Sequence, residues 1–411
     1  MSRPTRILVL SGLRIFPVIS GGQLRTAGFA AALGRMGYEV LIYSLTGRRS
    51  DYSAYRPGYR DHRIDQVEPS VREETYLGPY PAIVHAISRY RDRPRQWIPA
   101  MLGSGRITAR LRNHLAWADA VVADHAYVPR VPGPWAEKPW FLLSHQLEHR
   151  LLEQGSPAMR AYAPAMRRHE VSVASEFTDV FACAEEDHEF FRSHDPSGLR
   201  RMPIVRCGVD PRRYEAPVGL RESTRRELEV KPDARLLLFA GSRYGPNNEA
   251  LDELRAFSER EAEFLTAHNL QFLVLGGVCP APFRTQTMIA TGRVPDILPF
   301  FCAADAGLNP ITRGAGANVK LFEYLAARLP VLSTPFGVRG SGLVPDEDYL
   351  PFEIGTLRET LGRWVSERSA AGWRQRAEAV WARHRHSCDI DLLVQRAVVE
   401  ARGFPGPSGA R

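Results

Sequence analysis

Ile7-Leu8-Val9-Leu10 runs without a polar residue near the start of the chain, and Val40-Leu41-Ile42 does the same further on. Short unbroken apolar runs suit strands buried on both faces of a parallel sheet. Between them the spacing turns helical over 24–36, closed by Gly37, a residue that ends helices without backbone strain. Strand, helix, strand predicts a βαβ unit. The connection before the helix, ending in Ser20-Gly21-Gly22, reads as a loop. Further strands are expected at 118–125, 140–145, 178–184, 235–243, 270–277 and 331–333. Helices are expected at 166–176, at 185–191, at 249–262 capped by Pro246-Asn247-Asn248, and at 318–327. Residues 354–399 read as helical, with Trp364, Trp373 and Trp381 among the apolar positions. Strands alternating with helices predict an α/β protein.

Composition narrows the class. With 411 residues and 44% hydrophobic content, the chain is globular and too long for one ordinary core. A boundary is expected at 210–217, where Pro and Arg replace apolar periodicity. The net charge of +8 and the pI near 9.4 favour anionic partners, and the arginines are spread along the chain rather than gathered in a nucleic-acid patch. The five cysteines are widely spaced, which argues against a disulfide framework and a zinc site. A reducing cytoplasm is the simplest compartment. No run reaches the roughly 20 apolar residues of a membrane span, and peripheral contact with the inner face of a membrane stays open. The stretch 50–99 is dense in Tyr and Arg. Packing on the first domain is its first reading, acceptor binding by aromatic and guanidinium groups its second, and single-stranded nucleic acid a distant third.

The candidate chemistry concentrates at 312–334. Gly314-Ala315-Gly316-Ala317 is a small-residue loop whose backbone N–H groups can face an anion. It leads into the helix 318–327, whose N-terminus is itself an anion site. Lys320 stands in the first turn, where the dipole disfavours a cation, and is one of only three lysines. A phosphate would offset that cost; a solvated side chain is the plain alternative. Glu323 shares its face, either as an ion-pair partner or as a carboxylate for ribose hydroxyls. Strand ends carry ligands in open parallel sheets, so Asp124, His125 and His145 are candidates, although a lone strand-end histidine such as His125 is more often structural. Gly241-Ser242-Arg243 closes another strand just before a helix, with Arg243 either a solvated loop residue or a phosphate ligand.

The segment 312–334 resembles the donor site of family 4 glycosyltransferases, in the form Gly-x-Gly-x-x-x-Lys-x-x-Glu-Tyr-x-Ala…Pro-Val-x-Ser-Thr. The resemblance implies that Lys320 and Arg243 touch the donor diphosphate and Glu323 the ribose. It implies that Gly314, Ala315, Gly316, Ala317, Asn318 and Val319 line the phosphates and sugar, that Gly241 and Ser242 flank them, and that Gly21 and Gly22 reach the donor phosphates. Backbone around Val294 would meet the nucleobase, and His145, with Glu148 after it, would sit near the donor sugar. One position departs from the pattern: Ala315 stands where most members carry a sugar-binding glutamate.

The resemblance thus implies the GT-B fold, two Rossmann-like domains facing each other across a cleft. These would be an acceptor-side domain at 1–209, a nucleotide-sugar domain at 210–385, a helix at 386–403 returning to the first domain, and a disordered tail at 404–411. The implied activity is retaining transfer of a sugar from a nucleotide-diphosphate sugar, UDP or GDP, to a glycan, lipid-linked or small-molecule acceptor. Neither cofactor nor metal is expected, since no Asp-x-Asp pair is placed to bind Mg²⁺ there, and nucleic acid is not an expected partner. Two alternatives stand beside it. One is another enzyme on the same fold, a pseudoglycosyltransferase or sugar-nucleotide epimerase. The other is a non-catalytic partner that binds nucleotide or glycan.

Overall fold

The structure, a computed structural model, describes residues 3–18, 20–45, 62–76, 109–128, 130–131, 133–314 and 318–407. The chain divides into two compact units, Met1–Arg206 with Ile390–Arg411, and Cys207–Asp389. Each is a seven-stranded sheet flanked by helices. Most of the Tyr- and Arg-rich stretch 50–99 lies outside the described residues.

The first unit contains β1 (Arg6–Ser11), α1 (Gly21–Arg35), β2 (Glu39–Leu45), β3 (His62–Glu68), β4 (Val71–Tyr76), α2 (Ala109–Trp117), β5 (Ala120–Asp124), β6 (Trp140–Leu143), α3 (Glu148–Glu153), α4 (Pro157–Glu176), β7 (Asp179–Phe181) and α5 (Glu185–Ser193). The strand order is β3-β4-β2-β1-β5-β6-β7, parallel except for the β3/β4 pair. Side chains alternate across a strand. Accordingly Leu8 and Leu10 of β1 enter one core cluster and Ile7 and Val9 the other. Both faces are covered, so the unbroken apolar runs are the residues a parallel sheet needs. β1 sits between β2 and β5, where the chain reverses its direction of winding. Ligands bind outside the carboxyl ends of strands at such a point.

The second unit repeats the plan with α6 (Leu220–Glu227), β8 (Arg235–Ala240), α7 (Gly245–Arg260), α8 (Ala262–Ala267), β9 (Leu270–Leu275), β10 (Phe283–Arg284), β11 (Met288–Ala290), α9 (Leu298–Ala303), β12 (Ala306–Asn309), α10 (Val319–Ala326), β13 (Val331–Ser333), β14 (Leu350–Pro351), α11 (Leu357–Glu367) and α12 (Ala370–Cys388). Its order is β10-β11-β9-β8-β12-β13-β14, with β8 at the reversal. Tyr324 locks α10 onto this sheet. Its hydroxyl accepts from Ala240 N at 3.1 Å and donates to Leu308 O at 3.2 Å. Its ring lies so close to β12 that a Cβ at Gly307 would stand 2.3 Å from it. Trp364 and Trp373 are core residues of this unit, and Trp373 Nε1 donates to Trp364 O at 2.8 Å. The last helix, α13 (Ile390–Glu400), belongs to the first unit, where Ile390, Leu393, Val394 and Ala397 are fully buried.

Three expectations are corrected. Gly21 and Gly22 are the first turn of α1, not a loop before it, because Ser20 caps the helix and accepts from Gln23 N. α4 begins at Pro157, well before 166, because Ser156 caps it and Pro157 is pre-set for a first turn; Pro164 is carried inside the helix. The tail 404–411 is ordered at its start. Phe404 packs on the rings of Tyr38, Phe141 and Phe181, and Tyr38 donates to Pro405 O at 2.8 Å; 408–411 lie outside the described residues. Among the described residues no helix is long and apolar enough to cross a membrane.

Candidate functional site

In the second unit the site is built on the ends of β8 and β12 and the first turn of α10. Asn318 precedes α10 and makes no side-chain cap. Its Nδ2 instead donates to Asn309 Oδ1 at 2.9 Å and Gly337 O at 3.2 Å. Asn309 in turn donates to Ser333 Oγ and Gly337 O. This network ties the ends of β12 and β13 to the start of α10, where Leu321 N donates to Asn318 O at 3.1 Å.

Lys320 projects from that first turn. Its Nζ donates to Asn247 Oδ1 at 2.8 Å and lies 5.2 Å from the Phe239 ring centroid. Asn247 was expected to cap α7. It lies inside the first turn of α7 instead, is buried, and holds two loops together: its Nδ2 donates to Ser242 O at 2.9 Å. The i,i+3 ion pair between Lys320 and Glu323 is not made. Glu323 accepts from the Tyr214 hydroxyl at 2.9 Å. Burial pushes the Lys320 ammonium down to about 7, with the Glu323 carboxylate opposing the shift and Arg339 adding to it. Burial also raises Glu323, although Tyr214, Arg213 and Lys320 pull the other way. Burial and the adjacent Glu323 carboxylate push the Tyr214 phenol well above its ordinary range. Lys320 is therefore a desolvated cation held by a neutral amide, a state that an incoming anion relieves.

Gly241 and Ser242 follow β8, and Arg243 is exposed with no hydrogen-bond or ion-pair partner among the described residues. Arg243 lines a pocket of about 260 Å³ with Gly277, Pro280, Pro282, Thr291, Gly292 and Arg293. Val294 is half-buried beside this lining. Two glycines let the loops meet: Gly276 has φ +101°, and a Cβ there would stand 2.6 Å from Gly241 O. Gly314, at φ +138°, passes over Pro246. Ala315, Gly316 and Ala317 lie outside the described residues; Val319 opens α10.

The first unit holds a separate polar cluster at the ends of β1, β5 and β6. Asp124, fully buried, accepts from Ser11 Oγ at 2.6 Å and Thr26 Oγ1 at 2.8 Å, and lies 2.6 Å from His145 Nε2 and 3.3 Å from His125 Nδ1. The His125 and His145 rings stack with centroids 3.8 Å apart. Asp124 is held well below the usual carboxylate range by the two histidines against its burial, and burial with His125 pushes His145 down to about 3. These three residues bring one ligand atom each to within 4.8 Å of one another. His145 Nε2 meets Oδ1 of the carboxylate and His125 Nδ1 meets Oδ2. Beyond it, Tyr127 donates to Glu148 Oε1 at 2.6 Å, and Glu170 accepts from the backbone N–H groups of Glu148 and His149. Gly21 and Gly22 sit on the same unit, with Gly22 against the His145 ring.

The structure brings Gly241, Ser242, Arg243, Asn318, Val319, Lys320 and Glu323 to one end of the second sheet, and Gly22 and His145 together in the first unit. Sequence reasoning missed Tyr214 and misassigned Asn247. Tyr214 lies in a 3₁₀ turn that carries no motif.

Comparisons with known proteins bear on the fold and on the class of protein. Residues 234–352 match the family model described as Glycosyl transferases group 1. The whole chain is similar in structure to an α,α-trehalose-phosphate synthase (UDP-forming) from Burkholderia xenovorans in complex with glucose-6-phosphate. The identity is 15%, the coverage 95% of this chain and 98% of that one, and the TM-score 0.65. It is similar to sucrose-phosphate synthase from Thermosynechococcus elongatus at 12% identity, covering 95% and 97%, TM-score 0.63. It is also similar to Anabaena HepE in complex with UDP-glucose at 14% identity, covering 96% and 98%, TM-score 0.59. A comparison with curated protein sequences finds no match. The fold is GT-B, with two Rossmann-like domains, and the matched domain supports a glycosyltransferase.

Proposed function

We propose that this chain is a retaining glycosyltransferase of the family 4 type, transferring a sugar from a nucleoside-diphosphate sugar, UDP-linked in the first instance, to a hydroxyl of a carbohydrate, lipid-linked or small-molecule acceptor. The carrying observation is Lys320, a desolvated ammonium at the N-terminus of α10, held by Asn247 and followed by Glu323. A cation at a helix N-terminus is unfavourable alone and favourable with an anion between them. Arg243, without a partner among the described residues and on the same sheet end, supplies a second positive charge. The two cations and the helix stabilise charge that grows on the diphosphate as its bond to the sugar C1 breaks. The acceptor oxygen bonds C1 from the departing side, and its proton passes to the leaving phosphate oxygen. Glu323, positioned by Tyr214, takes the ribose hydroxyls. The domain match and the UDP and UDP-glucose bound by structural neighbours support the donor class.

The test is calorimetric binding and thermal stabilisation with UDP, GDP, ADP and dTDP and their sugar conjugates, repeated on Glu323→Ala. Stabilisation by one nucleotide, lost in the variant, is expected. Stabilisation by none would remove the donor site and leave a glycan-binding role.

A further inference from the structure

Arg339 follows β13 in the second unit and stands beside the start of α10. We infer that Arg339 is a further cationic ligand for a diphosphate, fixed in place by the Phe336 ring and by the turn at Gly337. That the diphosphate belongs to a sugar donor rests on the glycosyl-transfer reading; that this place takes paired phosphates does not.

The backbone fixes where the side chain starts. After β13 the chain passes through a 3₁₀ turn, Phe336–Val338. Gly337 O accepts from Asn309 Nδ2 at 3.0 Å and from Asn318 Nδ2 at 3.2 Å. No side chain fits at Gly337, since a Cβ would stand 2.4 Å from Ser333 Oγ and 2.5 Å from Asn309 Nδ2. The turn is therefore fastened to Asn318, just before the first turn of α10 that carries Lys320.

The side chain is fixed as well. The guanidinium carbon of Arg339 lies 3.9 Å from the Phe336 ring centroid, and one terminal nitrogen donates to Phe336 O at 3.0 Å. Phe336 itself packs on the core of the second unit. A guanidinium stacked on a ring has already lost much of its rotamer freedom, and its fork holds more N–H groups than one carbonyl uses. Arg339 is half-buried, so part of the fork faces outward.

The electrostatics call for an anion. Arg339 is near enough to Lys320 to help push its ammonium down, with burial the larger cause and Glu323 opposing. The carboxylate of Glu323 accepts from Tyr214. Two cations gathered at a helix N-terminus repel each other and the dipole, and an anion set among them relieves both costs. A diphosphate has adjacent anionic groups, so Lys320 and Arg339 can each meet a different one; guanidinium suits the bidentate contact.

The experiment is titration calorimetry near pH 7 with inorganic pyrophosphate, UDP and UMP, on the full-length wild type, Arg339→Gln and Arg339→Lys. Arg339→Gln is expected to weaken pyrophosphate and UDP about tenfold or more, and UMP by less than about threefold. Arg339→Lys keeps the charge without the fork and should fall between. Unchanged UDP and pyrophosphate affinities in folded Arg339→Gln overturn the inference. Equal losses for UDP and UMP overturn it too, because they indicate a displaced α10. A pH readout separates contact from scaffolding. Without Arg339 the Lys320 pKa rises, so proton uptake on binding UDP-glucose near pH 8 should shrink in Arg339→Gln; unchanged uptake counts against the placement. A wild type that binds pyrophosphate, lost in Arg339→Gln, but binds no nucleotide keeps the anion site and sinks the donor reading. A wild type that binds neither sinks both.

Discussion

Lys138 and Lys320 show how differently one side chain is used in this chain. Lys138 Nζ caps the C-terminal end of α2 through Leu115 O, Ala116 O and Ala118 O, where the dipole welcomes a cation. Lys320 stands at the opposite kind of helix end and meets a single neutral amide. Replacing it by Ala is expected to cut transfer about a hundredfold or more, as loss of a preorganised charge contact does; steady-state turnover near wild type would refute its role. Its depressed pKa also sets a pH dependence for donor binding. An anion restores the ammonium, so below about 7 the site is already charged and affinity is flat. Above that pH, binding takes up a proton and affinity falls by up to about one decade per pH unit. UDP-glucose, which does not itself titrate there, should take up nearly one proton at pH 8, measurable by calorimetry in buffers of different ionisation heat. Asn247→Asp puts a carboxylate 2.8 Å from the ammonium. That pair would compete with the diphosphate, so Asp should weaken nucleotide binding more than Ala does.

At the scale of elements, the site depends on where helices begin. Glycine is a poor helix former, and Gly21-Gly22 read as loop for that reason; the Ser20 cap overrides it by satisfying a first-turn N–H. Ser20→Ala should cost about 1 kcal/mol, seen as a lower chemical-denaturation midpoint with unchanged slope. α7 shows the reverse error. Pro and Asn residues look like caps, yet Asn247 turns inward to Ser242 and Lys320. The first error is local, since Ser20 caps Gln23 N three residues on; the second arose where the partners of a side chain lay on other elements. The periodic parts of the same segments, such as Leu321, Phe322 and Leu325 of α10, are buried as their spacing required.

For the whole molecule, the chain starts in one unit, builds the second, and returns through α13 to the first. The return is anchored beyond the helix by Phe404 among three aromatic rings. Because Phe404 is half-buried, Phe404→Ala should cost about 1–2 kcal/mol, less than the 3–5 of a fully buried Phe, read as a drop in thermal midpoint. A midpoint unchanged within error would show that the tail contributes nothing to the first unit.

Local periodicity determined the alternation of strands and helices, the α/β class, and the shared face of Lys320 and Glu323. These depend on neighbours three or four residues apart, a range in which side-chain direction follows from backbone geometry alone. Only the tertiary structure decided what those residues touch. Lys320 meets Asn247 across 73 positions, Glu323 meets Tyr214 across 109, and Asp124 meets Ser11 across 113. The first and third pairings follow from strand order at a reversal point of a parallel sheet, which sets which strand ends lie side by side, and the second from a 3₁₀ turn packed near α10; no local pattern carries that information.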